Sequence, residues 1–140
     1  MAARWAGIRT VQFVENKTYC QKVLRKNFPG IPIHDDIEDF DAAKFRRPFL
    51  LTGGYPCQPF SQAGKQQGTR DDRHLWPEML RVVRECRPDW VLGENVAGHI
   101  SMGLDDVLSD LEGEGYSTRA FVIPACAADA SHRRERVWIV

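Results

Sequence analysis

The sequence carries no excess of charge of either sign: 19 Lys and Arg balance 19 Asp and Glu, for a formal net charge of zero. That excludes a nonspecific basic binder of nucleic acid. Local clusters can still meet phosphates, among them Lys44, Arg46 and Arg47, and Arg133, Arg134 and Arg136. No apolar run approaches the about 20 residues of a membrane-spanning helix, so no membrane association is expected. The opening residues, Met1 to Trp5, lack the apolar stretch of a secretory signal, and an intracellular, cytoplasmic setting is the expectation. The cysteines, Cys20, Cys57, Cys86 and Cys126, form no Cys-x-x-Cys pair and no Cys/His set with zinc spacing. No metal is therefore expected, and the cysteines read as thiols rather than disulfides. Internal repeats, low-complexity tracts and linkers are lacking. So is any Gly-x-Gly-x-x-Gly, the glycine turn with which nucleotide-binding α/β domains commonly open.

What is present suits one domain. The chain has 140 residues, and a hydrophobic fraction of 43% suffices for a core. Short β-rich runs alternate with helical patterns. Thr10–Val14, Ile31–Ile33, Phe49–Thr52, Trp90–Leu92, Ala120–Ile123 and Val137–Val140 read as strands. Apolar residues at 19, 23, 24 and 28 mark one helical face, stopped by Pro29-Gly30. Leu75, Met79, Val82, Val83 and Cys86 mark a second, with Pro77 in its first turn. Leu104, Val107, Leu108 and Leu111 mark a third, closed by Gly113. This alternation predicts an open, mostly parallel α/β sheet whose ligands sit beyond the carboxyl ends of the strands. Val137–Val140 runs off the chain without a turn, so it is expected to be an unpaired terminal strand open to pairing with another chain.

Three segments fall at that ligand-binding edge. The loop Gly53-Gly54-Tyr55-Pro56-Cys57-Gln58-Pro59-Phe60-Ser61, with Gly64-Lys65 after it, presents a cysteine a few residues past a buried strand. A thiolate nucleophile would be displayed there. Cys20, Cys86 and Cys126 stand in apolar or helical contexts and read as structural thiols. Glu94, in Gly93-Glu94-Asn95-Val96, reads as a carboxylate at the strand end, by itself an ordinary solvated one. His132-Arg133-Arg134-Glu135-Arg136 reads as an extended run in which His132, Arg134 and Arg136 share one side.

Taken together and in this order, the segments resemble the cytosine-specific DNA methyltransferases that act at carbon-5. That family carries Pro-Cys-Gln-x-Phe-Ser, then Glu-Asn-Val, then Gln-x-Arg-x-Arg, and the resemblance runs from about Ala3 to Val140. It implies a Rossmann-like, S-adenosyl-L-methionine-dependent fold, with residues 1–140 a partial catalytic methyltransferase domain. It also implies a bacterial or phage restriction-modification role on double-stranded DNA. Cys57 would attack carbon-6 of cytosine, and Glu94 would hold the N3 edge. Arg134 and Arg136 would hold the base O2 and nearby groups, and Asn95 would brace the Pro56-Cys57 loop, with Gln58 and Ser61 also facing substrate. Glu15, with Asn16 beside it, would take the ribose hydroxyls of the cofactor; Asp36-Ile37 would take adenine, and Leu75 would add an apolar contact. The target base would have to leave the helix stack.

The match has departures. His132 stands where the family has Gln, and the Asp-Leu-Phe-x-Gly-x-Gly-Gly segment that would precede Arg4-Trp5-Ala6-Gly7 is missing, as is a target-recognition region. Residues 1–140 alone are therefore expected to be weakly active or inactive. Two other readings are a transfer-RNA cytosine methyltransferase using the same loop, and a non-catalytic fragment that complements a partner chain. A cysteine hydrolase would need a histidine base, and none of His34, His74, His99 and His132 stands out as one.

Overall fold

The computed structural model describes residues 2–56 and 75–140, and the chain divides into two compact units, Met1–Asp41 and Ala42–Val140. In the first unit a short helix α1 (Ala2–Trp5) ends at Gly7, whose φ of +73° suits glycine. Strand β1 (Phe13–Val14), helix α2 (Thr18–Asn27) and strand β2 (Ile33–His34) then make a small right-sized β-α-β unit, with β1 and β2 parallel and Phe13 opposite Ile33. Of the apolar run Thr10–Val14, only its last two residues find a partner strand in β2. The Phe13 and Phe28 rings pack with centroids 5.2 Å apart, which ties β1 to the end of α2. Pro29-Gly30 terminates α2 as expected, with Gly30 at φ +84°.

In the second unit, strand β3 (Leu50–Gly53), helix α3 (Trp76–Cys86), strand β4 (Trp90–Val96), helix α4 (Leu104–Gly113), strand β5 (Ala120–Ile123) and strand β6 (Arg136–Ile139) follow in order. Both helices carry the stripes that the sequence predicts. Met79, Val82, Val83 and Cys86 of α3 are buried, as are Leu104, Val107 and Leu111 of α4. Pro77 sits in the first turn of α3, where its missing N–H costs nothing, and Arg87 closes the helix in a left-handed conformation at φ 49°.

Among the described residues the sheet order is β3-β4-β6-β5. β3 and β4 are parallel, while β6 runs antiparallel to both β4 and β5, so β3, β4 and β5 share one direction. The connection from β5 to β6 holds only a 3₁₀ turn, Ala125–Ala128, and no crossover helix, which is why β6 returns antiparallel. This corrects the expectation of an unpaired end strand: β6 is inserted between two neighbours and bonded to both. Its Val137 and Ile139, opposite Asn95 and Gly93 of β4, are almost fully buried against the helices. Two further expectations change. β4 runs on through Glu94 to Val96, so Glu94 lies within the strand rather than past it. Cys126, read as a structural thiol, is exposed, whereas Cys86 is buried and Cys20 intermediate. Among the described residues, no helix is long and apolar enough to cross a membrane.

Candidate active site

The second unit brings three of the sequence-predicted segments to one edge of its sheet. β3 and β4 are in register, Gly53 opposite Gly93, so the chain leaving β3 through Gly54, Tyr55 and Pro56 passes beside Glu94 and Asn95. Alternation along β4 sends these two side chains to opposite faces. Asn95 is buried, and its Nδ2 donates to the Tyr55 carbonyl at 3.0 Å, while its Oδ1 accepts from the Val96 N–H at 2.9 Å. Glu94 points to the other face, where Oε1 pairs with Arg136 Nε of β6 at 2.8 Å. A Cβ on Gly54 would stand 3.5 Å from Glu94 Oε2, so the backbone there passes close to the carboxylate.

Arg134 does not join this row. Its φ of 39° breaks the extended run, and its side chain and that of His132 are exposed. The extended alternation expected over residues 132–136 fails because the stretch folds back: the Arg133 carbonyl accepts from the Ala125 N–H, and Asp129 turns through a left-handed φ of 61°. Pro56 is exposed. Cys57, Gln58 and Ser61 lie outside the described residues.

The first unit gathers the residues matched to cofactor binding. Because β1 and β2 are parallel, Glu15 and Asp36 both follow the carboxyl ends of their strands. The Glu15 N–H donates to the His34 carbonyl at 3.0 Å, and Glu15 Oε1 accepts from the Lys17 N–H at 2.9 Å. Buried Gln21 holds the same edge together, its Nε2 donating to the Glu15 carbonyl at 2.7 Å and to Asp35 Oδ1 at 3.0 Å. Asp36 is exposed and accepts from the Glu38 N–H at 3.0 Å; Asn16 is exposed and Ile37 half-buried. At neighbouring strand ends, the Glu15 carboxylate suits the hydroxyl donors of a ribose and exposed Asp36 an amino donor such as that of adenine, so these residues fit the nucleoside part of S-adenosylmethionine. Leu75, in the second unit, packs half-buried against the core there.

Sequence reasoning passed over Tyr55, Trp76 and His99. Tyr55 is buried, its hydroxyl shares a 3.0 Å hydrogen bond with His99 Nε2, and its ring packs 5.0 Å from that of Trp76. The signal for Tyr55 was its place next to Pro56-Cys57. His99, considered only as a hydrolase base, had none. Among the described residues no group of His, Cys, Asp and Glu could hold a metal ion.

Comparison with known proteins decides the family. The family described as C-5 cytosine-specific DNA methylase matches residues 1–140. This chain belongs to that family. Its relatives include the type II methyltransferase M.PspPI of Psychrobacter sp. (strain TA137), 38% identical over 143 residues that take in 96% of this chain and 34% of the relative. M.NgoMIV of Neisseria gonorrhoeae is 32% identical over 140 residues, 96% of this chain and 45% of the relative. The methylase chain thus spans between a third and a half of these relatives. The fold is that of the S. pombe Dnmt2 methyltransferase, with a TM-score of 0.82 at 21% identity over 99% of this chain and 45% of that one. The Rossmann-like architecture is that of the family, whose members depend on S-adenosylmethionine.

Proposed function

We propose that this chain provides the chemical core of a DNA methyltransferase that modifies cytosine at carbon-5 through a covalent Cys57 adduct. One observation carries the reading: Glu94, paired with Arg136 at 2.8 Å, borders the Gly54–Pro56 segment that leads directly into Cys57. Carbon-5 of cytosine is a poor nucleophile until a group adds at carbon-6. The Cys57 thiolate forms that carbon–sulfur bond, and Glu94 at the N3 edge stabilises the charge that develops on the ring. Arg136 holds Glu94 in place and offers its remaining guanidinium donors to the base O2, with Arg134 free to take a nearby phosphate or loop group. Glu15, Asn16, Asp36 and Ile37 of the first unit would hold S-adenosylmethionine, which would supply the methyl group for carbon-5. Loss of the carbon-5 proton then breaks the bond to Cys57 and frees the thiolate. Because carbon-6 is shielded in a stacked duplex, the substrate is a base turned out of double-stranded DNA.

The test is transfer of labelled methyl from S-adenosylmethionine to mixed-sequence DNA and, in parallel, to transfer RNA. Transfer to DNA that disappears in Cys57→Ala supports the reading. Transfer to RNA alone replaces the substrate assignment, and transfer retained by Cys57→Ala removes the mechanism. The measurement is made under single-turnover conditions with protein in excess.

A further inference from the structure

We propose that Tyr55 and His99 position the nucleophile: the pair fixes the chain entering Cys57 and refers it to the strand that bears Glu94. This rests on the reading of Cys57 as the attacking thiol. Three elements hold Tyr55. From β4, Asn95 Nδ2 donates to its carbonyl at 3.0 Å. From the 3₁₀ turn that follows β4, Ala97–Ser101, the His99 ring bonds its hydroxyl at 3.0 Å and meets its ring edge-on, with centroids 5.6 Å apart. From the first residue of α3, the Trp76 ring packs against it at 5.0 Å, and Trp76 is itself fixed by an Nε1–H bond of 2.7 Å to Asp110 of α4.

Core filling alone does not call for this arrangement. Tyr55 and His99 are 5% and 1% exposed, and a phenylalanine would fill the same space without a buried hydroxyl to satisfy. The buried polar pair instead selects one ring orientation, because only that orientation keeps the 3.0 Å bond between the Tyr55 hydroxyl and His99 Nε2. That orientation is passed on through a stiff link. Asn95 fixes the Tyr55 carbonyl, a residue before proline is confined to extended conformations, and Pro56 locks its own φ. Few torsions are left free between Tyr55 and Pro56, the residue that Cys57 follows in the chain. Asn95 is also the chain neighbour of Glu94, so one strand holds both the carboxylate and the brace on the nucleophile's approach.

Tyr55→Phe, His99→Phe, His99→Gln and the Tyr55→Phe/His99→Phe double variant test this in the full 140-residue chain. Single-turnover methyl transfer is expected to fall about tenfold in Tyr55→Phe and in His99→Phe. Cofactor Kd should stay near that of the parent, while Tm should fall by a few degrees in the single variants, each of which orphans one buried polar group, and least in the double variant, which removes both. The double variant should lose no more than either single one, and His99→Gln, which keeps a polar partner for the hydroxyl, should recover most of the rate. A parental rate in Tyr55→Phe, or a loss that follows Tm or cofactor Kd, overturns the proposal. If the parent chain transfers no methyl group at all, the functional reading fails by itself, and thiol chemistry decides the positioning role. Iodoacetamide labelling, located by peptide mass spectrometry, gives the Cys57 rate relative to exposed Cys126, with buried Cys86 reporting unfolding. The ratio should differ from one in the parent and move towards one in Tyr55→Phe while Cys86 stays protected. A ratio of one in the parent, or one that Tyr55→Phe leaves unchanged, overturns it.

Discussion

Arg136 of β6 reaches diagonally across the sheet to place its Nε 2.8 Å from Glu94 Oε1 of β4. Val96 and Trp138 are the directly opposite partners of Arg136 and Glu94, so the pair spans neighbouring rungs on one face. Both side chains keep some contact with solvent, 22% for Arg136 and 36% for Glu94. A pair so placed adds at most about 1 kcal/mol to stability. In the proposed function its carboxylate serves chemistry rather than folding. Glu94→Gln should therefore leave Tm within a few degrees of the parent, while single-turnover methyl transfer falls by about a hundredfold or more. A rate loss that tracked a fall in Tm would return Glu94 to the role of a structural contact.

Gly53 and Met79 set a steric limit beside the same edge. A Cβ on Gly53 would stand 2.5 Å from Met79 Sδ and 2.8 Å from its Cε. Met79 is 4% exposed and has little room to withdraw. Gly53→Ala should lower stability by about 1–3 kcal/mol in urea denaturation, the usual cost of overpacking. Met79→Ala in the same chain removes the obstruction, so the double variant should be less destabilised than the sum of the single ones. Additive losses would show that Gly53 is required for its backbone conformation instead.

Glu114 joins the ends of α3 and α4. Its Oε1 accepts from Arg84 Nε at 2.6 Å and its Oε2 lies 3.1 Å from Arg87 Nη1. The hydrogen bond from Arg84, with the charges of Arg84 and Arg87, holds the carboxyl below the usual glutamate range. A carboxyl whose folded pKa is depressed adds stability above its unfolded pKa, about 4.3, and loses it as pH falls through the folded value. The difference in Tm between parent and Glu114→Gln should be full at pH 6–7 and should shrink progressively below about pH 4.3. A difference independent of pH would assign it to packing.

The helices were legible because their stripes are regular: Met79, Val82, Val83 and Cys86 repeat over about two turns, and burial follows the repeat. Glu94, Asn95 and Arg136 were legible because their motifs keep order and spacing along the chain. The direction of β6 was not, since four apolar residues carry no sign of parallel or antiparallel pairing; the missing crossover helix decided it. Nor was the left-handed turn at Arg134, which nothing in the local residue types demands. The His99–Tyr55 bond was hidden for a different reason. It joins residues 44 apart in sequence, and neither residue type announces its partner.

Burial pushes the Cys86 thiol up from its ordinary value. Because the folded pKa lies above the unfolded one, the neutral thiol's contribution is complete below about pH 8.5 and declines as pH rises through the folded value. Two outcomes follow. Among the cysteines of the described residues, iodoacetamide at pH 8 should modify exposed Cys126 first, intermediate Cys20 next, and Cys86 only on the timescale of unfolding. In urea denaturation between pH 7 and 10, Cys86→Ala should be the less stable chain at pH 7, because it leaves a small cavity at a buried position, 3% exposed. The gap between the two curves should then narrow towards pH 10, since only the parent has this thiol to ionise on unfolding. A constant gap across that range would mean that the Cys86 thiol titrates alike in the folded and unfolded chain.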